Sequence, residues 1–406
     1  MSTSTRTMQP VILSAYTLAS CLGRGLEPAR AALRSSRSGL APCRFESVAL
    51  ETYVGEIPGV DAARLPAALA SFDCRNNRAA EVALVQDGFE GAVAAAAARY
   101  GRERIGVVMG TSTAGILHTE LAYRRRDAAG ALPQDFDYRR THNTSSIAEF
   151  VRARLGLTGP LSTLSTACSS SAKAFASAAR LMRAGVIDAA VVGGVDTLCL
   201  TTLHGFHSLQ LLSPQPCRPY DVARDGISLG EAAVFFLLER AGADADPDAM
   251  ALLGVGESCD AYHMSAPHPE GRGAREAMLG ALASASLGPD AIDYVNLHGT
   301  GTPSNDSAED RAVLGIFGER VPVNSTKGMT GHALGAAGAI EAMIAVLALE
   351  EGRIPASPGT RTVDPDLHAN YDVAGGPRSL ARVMSNSFGF GGSNCSLVLG
   401  RLRDAA

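Results

Sequence analysis

One cysteine, Cys168, lies where the sequence changes from a strand-like pattern to a helical one. It follows the extended stretch 164–167 and precedes residues 169–176, which have the pattern of the first turns of an apolar helix. The unpaired N–H groups and the dipole at a helix N-terminus favour an anionic thiolate. Such surroundings can lower a cysteine pKa from about 8.5 to between roughly 3.5 and 7.5. The sequence therefore predicts a nucleophile at Cys168.

A histidine follows a second short apolar run. His298 comes directly after residues 294–297, which have the pattern of a buried strand, and it opens a segment rich in glycine and threonine. Ligands of α/β sheets commonly bind at the carboxyl ends of strands. The glycines let the backbone approach a substrate, and Thr300 and Thr302 offer hydroxyl groups to its polar atoms. This combination favours a functional histidine.

A lysine and a second histidine form the third cluster. Lys327 and His332 lie within residues 324–332, again just past a strand-like run, and an Ala-rich helical pattern follows over 334–350. That helical pattern is apolar on all sides, which is typical of a central helix. A lysine and a histidine at this place favour chemistry over packing.

The fourth cluster, residues 385–394, is a glycine-rich turn near the end of the chain. It carries Phe388 and Phe390 between glycines. The pattern predicts a tight β-turn or, in a functional interpretation, a backbone N–H donor held beside a reacting carbonyl. In the second case the two aromatic rings would guard the entrance.

Composition limits the class of protein. The chain has 406 residues, of which 46% are hydrophobic and 19% charged, and its formal net charge is −5. This charge argues against nucleic-acid binding, which usually needs a concentrated basic surplus. No apolar run reaches the roughly 18 residues of a membrane span. The eight cysteines contain no CxxC pair, so we expect no metal site and a reducing, cytoplasmic location.

Short apolar runs alternate with Ala-rich helical patterns along the chain. The predicted strands include 105–109, 189–192, 232–238, 294–297, 321–323 and 396–399, and the predicted helices 79–99, 169–184, 274–285 and 334–350. This alternation predicts an α/β protein with a buried sheet between helices. The polar segment 241–248 is the best linker, so we divide the chain into halves 1–245 and 246–406. Their similar alternation suggests a duplicated architecture.

The four clusters occur in the order found in the β-ketoacyl-acyl carrier protein synthases, which this chain resembles over about residues 10 to 400. Segments 218–226, 260–267 and 331–338 also resemble that family. The resemblance implies a thiolase-like, duplicated five-layer α-β-α-β-α fold with mixed sheets. It implies an acyl carrier protein as partner, a homodimer or a heterodimer with a ketosynthase-like chain, and no cofactor.

The resemblance also implies roles for the charged and nucleophilic residues. One cysteine with two histidines is the pattern of the elongating branch of the family. Cys168 corresponds to the nucleophile that accepts the acyl chain, and His298 and His332 to the pair that acts on the malonyl thioester. Lys327 and Glu309 match an ion pair that orients the second histidine.

Other implied roles concern the oxyanion and the substrate. The N–H groups of Cys168 and Phe390 would hold the tetrahedral oxyanion, and Phe388 and Phe390 would form a gate. The threonines of the second cluster would bind the pantetheine arm. Met109 matches a position that lines the acyl pocket in relatives, although a plain core methionine is the alternative.

Residues 124–126, with Arg139 and Arg140, form the densest basic stretch of the chain. Such a run is usually a solvated face. Because the carriers of this reaction are acidic, the run could instead steer their encounter with the enzyme.

The predicted reaction is a decarboxylative Claisen condensation that gives a β-ketoacyl carrier protein and CO2. Ala232 and Asn305 depart from the family's usual pattern, and segment 73–78 resembles aryl-polyene ketosynthases, so a specialised polyketide or aryl-polyene pathway is favoured. Housekeeping fatty-acid elongation is the alternative. A tunnel-shaping inert partner and a thiolase with Cys395 as base are alternatives from other classes.

Overall fold

The computed structural model describes residues 7–405. Its strands are β1 (Val11–Ser20), β2 (Gly23–Arg24), β3 (Ala41–Pro42), β4 (Tyr53–Gly55), β5 (Ile105–Gly110), β6 (Leu161–Leu164), β7 (Ala189–Asp196), β8 (Leu229–Gly230), β9 (Ala232–Arg240), β10 (Met250–Cys259), β11 (Tyr294–Asn296), β12 (Val323–Asn324), β13 (Arg353–Ile354), β14 (Gly376–Pro377), β15 (Arg382–Gly389) and β16 (Ser393–Arg401). Its α-helices are α1 (Leu26–Arg34), α2 (Arg75–Leu84), α3 (Phe89–Tyr100), α4 (Ile116–Arg124), α5 (Ser146–Arg154), α6 (Ser170–Arg183), α7 (Leu200–Ser208), α8 (Arg272–Ser284), α9 (Pro303–Phe317), α10 (Lys327–Thr330) and α11 (Ala337–Glu351). Within residues 7–405, none of these helices combines the length and apolarity that crossing a membrane requires.

The two halves of the main sheet have the same topology. The first half runs β6-β5-β7-β9-β1, and the second runs β12-β11-β15-β16-β10. In each half the two pairings nearest the outer edge are parallel and the next two are antiparallel. A short antiparallel contact between β1 and β10 joins the halves. The duplicated α/β fold with mixed sheets is therefore confirmed.

Helices and sheets alternate in five layers. The central layer consists of α6 and α11, which share a core with strands of both halves. The outer helices α2, α3 and α5 cover one sheet, and α8 and α9 cover the other. A Cβ on Gly338 of α11 would lie 2.7 Å from the Cβ of Ala172 in α6. The small residues of both helices therefore permit their close approach.

One predicted helix is divided in two. The Ala-rich pattern 79–99 predicts a single helix, but α2 ends at Leu84 and α3 begins at Phe89. Asp87 and Gly88 between them have φ angles of 53° and 70°. Two successive left-handed residues stop a right-handed helix. The predicted boundary at 245/246 falls in the connection from β9 to β10 and stays a prediction.

The connections that follow several strands meet at one end of the central layer. Cys168 lies between β6 and α6, His298 follows β11, and His332 lies between β12 and α11. Phe390 follows β15 at the same place. These connections build the candidate site.

Candidate active site

Cys168 lies in a tight turn at the start of α6. The preceding residue, Ala167, has a φ of 52°, which is rare for a residue other than glycine. The hydroxyl of Ser170 accepts the N–H of Thr166 at 2.8 Å and donates to the carbonyl of Ala167 at 2.6 Å. The turn thereby places the buried Cys168 thiol at the helix N-terminus, as predicted.

The predicted low pKa of this thiol is wrong. Burial raises the pKa of Cys168 to about 12, because removing the sulfur from water disfavours its anionic form. The positive charge of Lys327 and a hydrogen bond from the backbone N–H of Phe390 act in the opposite direction. Local sequence suggests the helix terminus but does not reveal how completely the thiol is shielded. The resting nucleophile is therefore a thiol.

The thiol and the two histidines converge. The sulfur of Cys168 and one ring nitrogen each of His298 and His332 lie within 4.8 Å of one another. The two imidazole rings are nearly perpendicular, with centroids 5.2 Å apart. Burial, followed by the charge of Lys327, holds the pKa of both histidines well below its usual range. Both rings are consequently neutral at pH 7.

Hydrogen bonds define the tautomer of each neutral histidine. The N–H of Leu334 donates to Nδ1 of His332 at 3.1 Å. The ammonium of Lys327, which has donors only, lies 3.4 Å from Nδ1 of His298. Both Nδ1 atoms must accept, so each Nε2 carries the proton. A metal-bound imidazole instead donates through its other nitrogen, so these surroundings suit two N–H donors and not metal ligation.

The partner of Lys327 differs from the prediction. Its ammonium forms an ion pair with Glu341 of α11 and also donates to the carbonyl of His298. The sequence predicted that Glu309 would pair with Lys327 and that this ion pair would orient His332. Both expectations are wrong. Burial raises the pKa of Glu341 to about 7. Glu341 is the only charged residue among residues 337–349 of this helix, and this is the signal that pointed to a buried partner.

Glu309 has another role. Its two carboxylate oxygens accept the backbone N–H groups of His298 and Gly299, each at 2.8 Å. The side-chain amide of Asn386 donates to it at 3.1 Å. Burial raises the pKa of Glu309 to about 7. Glu309 therefore holds the backbone that carries the first histidine.

A cavity opens from Cys168, His298 and His332 to the surface. Its walls include Thr300, Thr302, Phe388 and Phe390, and the two threonine hydroxyls lie 2.9 Å apart. The ring of Phe390 contacts that of Phe206 at a centroid distance of 5.8 Å. The sequence contained no signal for Phe206. The predicted gate residues and the predicted substrate threonines thus lie on one cavity.

Met109 is not at this cavity. It belongs with Ile105 and Val107 to the core between the first sheet and its outer helices, whereas Val108 faces the central layer. The expectation that Met109 lines the acyl pocket is not supported by this position. The reason is the two-residue period of a strand, which sends Met109 to the face opposite the central helices.

Comparisons with known proteins agree with this geometry. Residues 76–243 match the model of the β-ketoacyl synthase N-terminal domain, and residues 250–361 match that of its C-terminal domain. The chain belongs to the β-ketoacyl synthase family. It is a condensing enzyme of the acyltransferase type. The family that the sequence motifs predicted is therefore confirmed, and the thiolase alternative is excluded.

Individual relatives cover nearly the whole chain. The 3-oxoacyl-[acyl-carrier-protein] synthase 2 of Coxiella burnetii is 32% identical over 97% of this chain and 99% of its own. Among solved structures, a chain of the complex between the ketosynthase ApeO and its chain length factor ApeC, from Xenorhabdus doucetiae, is 40% identical, with a TM-score of 0.87 and coverage of 97% of this chain and 98% of that chain. The ishigamide ketosynthase/chain length factor is 28% identical, with a TM-score of 0.85 and coverage of 97% and 100%.

Proposed function

We propose that the enzyme condenses an acyl chain held on Cys168 with a malonyl group on an acyl carrier protein. The products are a β-ketoacyl carrier protein and CO2. The observation that carries this proposal is the convergence of one thiol and two imidazoles: the sulfur and one nitrogen of each ring lie within 4.8 Å of one another, and both Nδ1 atoms of His298 and His332 are occupied as acceptors.

The first step is an exchange between thioesters. The sulfur of Cys168 bonds to the acyl carbon, the bond to the carrier's sulfur breaks, and the thiol proton leaves with that sulfur. The tetrahedral oxyanion accepts from the N–H groups of Cys168 and Phe390. A Cβ on Gly389 would lie 3.2 Å from the nitrogen of Cys168, so glycine keeps this space open. One such donor contributes about 3–4 kcal/mol to the transition state.

The second step removes CO2 from the malonyl group. The electron pair of the broken C–C bond enters an enolate, whose oxygen accepts from the Nε2–H groups of His298 and His332. Lys327 adds a positive field next to the first histidine. Neutral donors fixed before the reaction stabilise such charge effectively in a site that excludes water.

The third step forms the new carbon–carbon bond. The enolate carbon attacks the acyl carbon on Cys168, and the cysteine sulfur leaves with the electron pair of the broken C–S bond. The start of α6 and the ammonium of Lys327 stabilise this transient thiolate. It then takes a proton from solvent and returns to the thiol that burial favours.

We place the enzyme in a specialised polyketide or aryl-polyene pathway, as one chain of a heterodimer with a ketosynthase-like partner. The support is a chain 40% identical to this one in the solved complex of the ketosynthase ApeO with its chain length factor ApeC, together with the resemblance of segment 73–78 to aryl-polyene ketosynthases. Housekeeping fatty-acid elongation and a homodimer are the alternatives. An inert tunnel-shaping role is disfavoured because Cys168, His298 and His332 are all present and converge.

Two further features belong to this proposal. The arginines of 124–126 are exposed on and after α4, where Arg125 pairs with Asp135 at 3.1 Å. We assign this surface to docking of the acidic carrier. All eight cysteines are free thiols, which fits a reducing compartment such as the cytoplasm.

The test is mass spectrometry of the purified protein with a series of acyl carrier thioesters, followed by malonyl carrier. We expect acylation at Cys168 and then a β-ketoacyl product. The Cys395→Ala variant, which removes another buried thiol, should be acylated normally. Absence of acylation with every thioester, with and without a ketosynthase-like partner, would contradict the proposal. The preferred acyl group separates the specialised pathway from fatty-acid elongation.

A further inference from the structure

A buried carboxylate that the three reaction steps do not use lies at the end of β7. Asp196 has no exposed surface. Its oxygens accept hydrogen bonds from three backbone and two hydroxyl donors: Ser112 N at 2.9 Å, Thr113 N at 2.9 Å, Gly335 N at 2.6 Å, Thr111 Oγ1 at 2.5 Å and Thr113 Oγ1 at 2.8 Å. Every partner is a donor. A carboxylate satisfies all of them, whereas an amide would turn its NH2 group toward a donor.

One branch of this network reaches the turn of the nucleophile. Asp196 fixes the backbone of Ser112, and the hydroxyl of Ser112 donates to the carbonyl of Ala167 at 3.2 Å. Ala167 is the residue with positive φ immediately before Cys168. Such a backbone persists only where its surroundings hold it. The carboxylate thus supports the conformation that presents the thiol.

The other branch reaches the turn of the second histidine. Gly335 donates its N–H to Asp196, and the preceding residue, Leu334, has a φ of 49° and donates its N–H to Nδ1 of His332. A Cβ on Gly335 would lie 2.7 Å from both Asp196 Oδ2 and the nitrogen of Ser112. This close approach requires glycine. The N–H that selects the histidine tautomer is therefore held one residue from the carboxylate.

We propose that Asp196 is a positioning residue that holds the turns of Cys168 and His332 in a fixed mutual arrangement. It acts on the thiol through Ser112 and on the histidine through Gly335. Asp196 comes from the first half of the chain and Gly335 from the second, so one carboxylate joins the halves at the reacting atoms. The inference rests on the condensing reaction proposed above.

The main test compares Asp196→Asn with Asp293→Asn. Asp293 also accepts two backbone N–H groups, at 2.7 and 2.9 Å, but it precedes β11 at the end opposite the site. For Asp196→Asn we expect kcat to fall about 100-fold, as misplacement of reacting groups by about 1 Å does. KM for the malonyl carrier should change little because Thr300 and Thr302 are unaffected. The Asp293 variant should keep the kcat of the wild type.

A readout without substrate separates this inference from the proposed function. In ¹⁵N NMR, Asp196→Asn should lose the pure Nε2–H state of His332, whereas Asp293→Asn should retain it. If the Asp196 variant keeps both this tautomer and the wild-type kcat, the inference is overturned, whichever acyl group the enzyme uses. A stability loss common to both variants with equal kcat would also overturn it.

A milder variant tests the first branch and covers the case in which Asp196→Asn does not fold. Ser112→Ala keeps the backbone bond to Asp196 and removes only the hydroxyl that supports Ala167. We expect acyl transfer to Cys168 to slow about tenfold while the His332 tautomer is unchanged. A wild-type rate of acyl transfer in this variant would overturn the proposal for the nucleophile turn.

Discussion

The connections β6–α6 and β12–α11 occupy the same place in the two halves of the fold, yet they carry different chemistry. The first is short, residues 165–169, and presents Cys168 at a helix start. The second is longer, residues 325–336, and contains α10 with Lys327 before His332. Each contains a residue other than glycine with positive φ, Ala167 and Leu334. The duplicated topology brings the two connections together, and their lengths and side chains determine their roles.

Burial shifts the pKa of the reacting group on each connection in opposite directions, and it leaves both groups neutral. It raises the pKa of the Cys168 thiol and lowers that of the His332 imidazole, because in each case it disfavours the charged form. Both groups are therefore neutral before substrate binds. The thiol becomes charged only during the reaction, when the helix start and Lys327 can stabilise the negative charge.

The largest expected effect separates the two connections. Cys168→Ala should abolish acyl loading and condensation, a loss on the order of 10⁴-fold or more, yet retain CO2 release from malonyl carrier. His332→Gln should do the reverse, with CO2 release falling about 10²- to 10³-fold and acyl loading unchanged. Single-turnover assays of loading and of CO2 release measure the two reactions. Equal loss of both in either variant would contradict the division of roles.

The next effect concerns the ion pair that belongs to the second connection. Glu341→Gln leaves the buried ammonium of Lys327 uncompensated and should lower the free energy of unfolding by about 3–5 kcal/mol. The double variant with Lys327→Met should recover most of that stability, as chemical denaturation would show, but not the activity. Full recovery of activity in the double variant would show that the pair is only structural.

The pH dependence of alkylation tests the first connection alone. Only the thiolate reacts, and the pKa of Cys168 is raised to about 12. Iodoacetamide labelling of Cys168 should therefore accelerate about tenfold per pH unit from pH 7 to 9, without a plateau. Peptide mass spectrometry gives the rate at this residue. A rate that is constant over that range would instead indicate a thiolate held by the helix terminus.

The smallest effect is expected outside both connections. Met109→Leu changes a side chain of the outer core, and such a swap costs less than about 1.5 kcal/mol. The acyl-length profile should equal that of the wild type because Met109 faces away from the central layer. A shifted acyl-length profile would contradict this placement and indicate that Met109 lines the acyl pocket.

The sequence predicted the elements better than the contacts between them. Cys168, His298 and His332 could be identified because each lies next to a clear change from strand to loop or helix. The partner of Lys327 was harder to predict, since Glu309 lies on the helix before it and Glu341 on the helix after it. The isolated charge of Glu341 in an apolar stretch was a signal, but the packing of the helices decides which carboxylate meets the lysine. The pKa of the Cys168 thiol and the face of the sheet on which Met109 lies likewise depend on layers formed by distant segments. Asp196 shows the same limit, because its donors come from residues 111–113 and 335.

The most direct test of the account is the tautomeric state of His298 and His332 in the free enzyme. Protein labelled with ¹⁵N in its histidines, compared with His298→Gln and His332→Gln variants for assignment, gives both signals at pH 7. We predict that both rings are neutral, with the proton on Nε2 and a bare Nδ1. A proton on Nδ1 of either ring, or a doubly protonated ring, would contradict the role of the two histidines as N–H donors to the enolate.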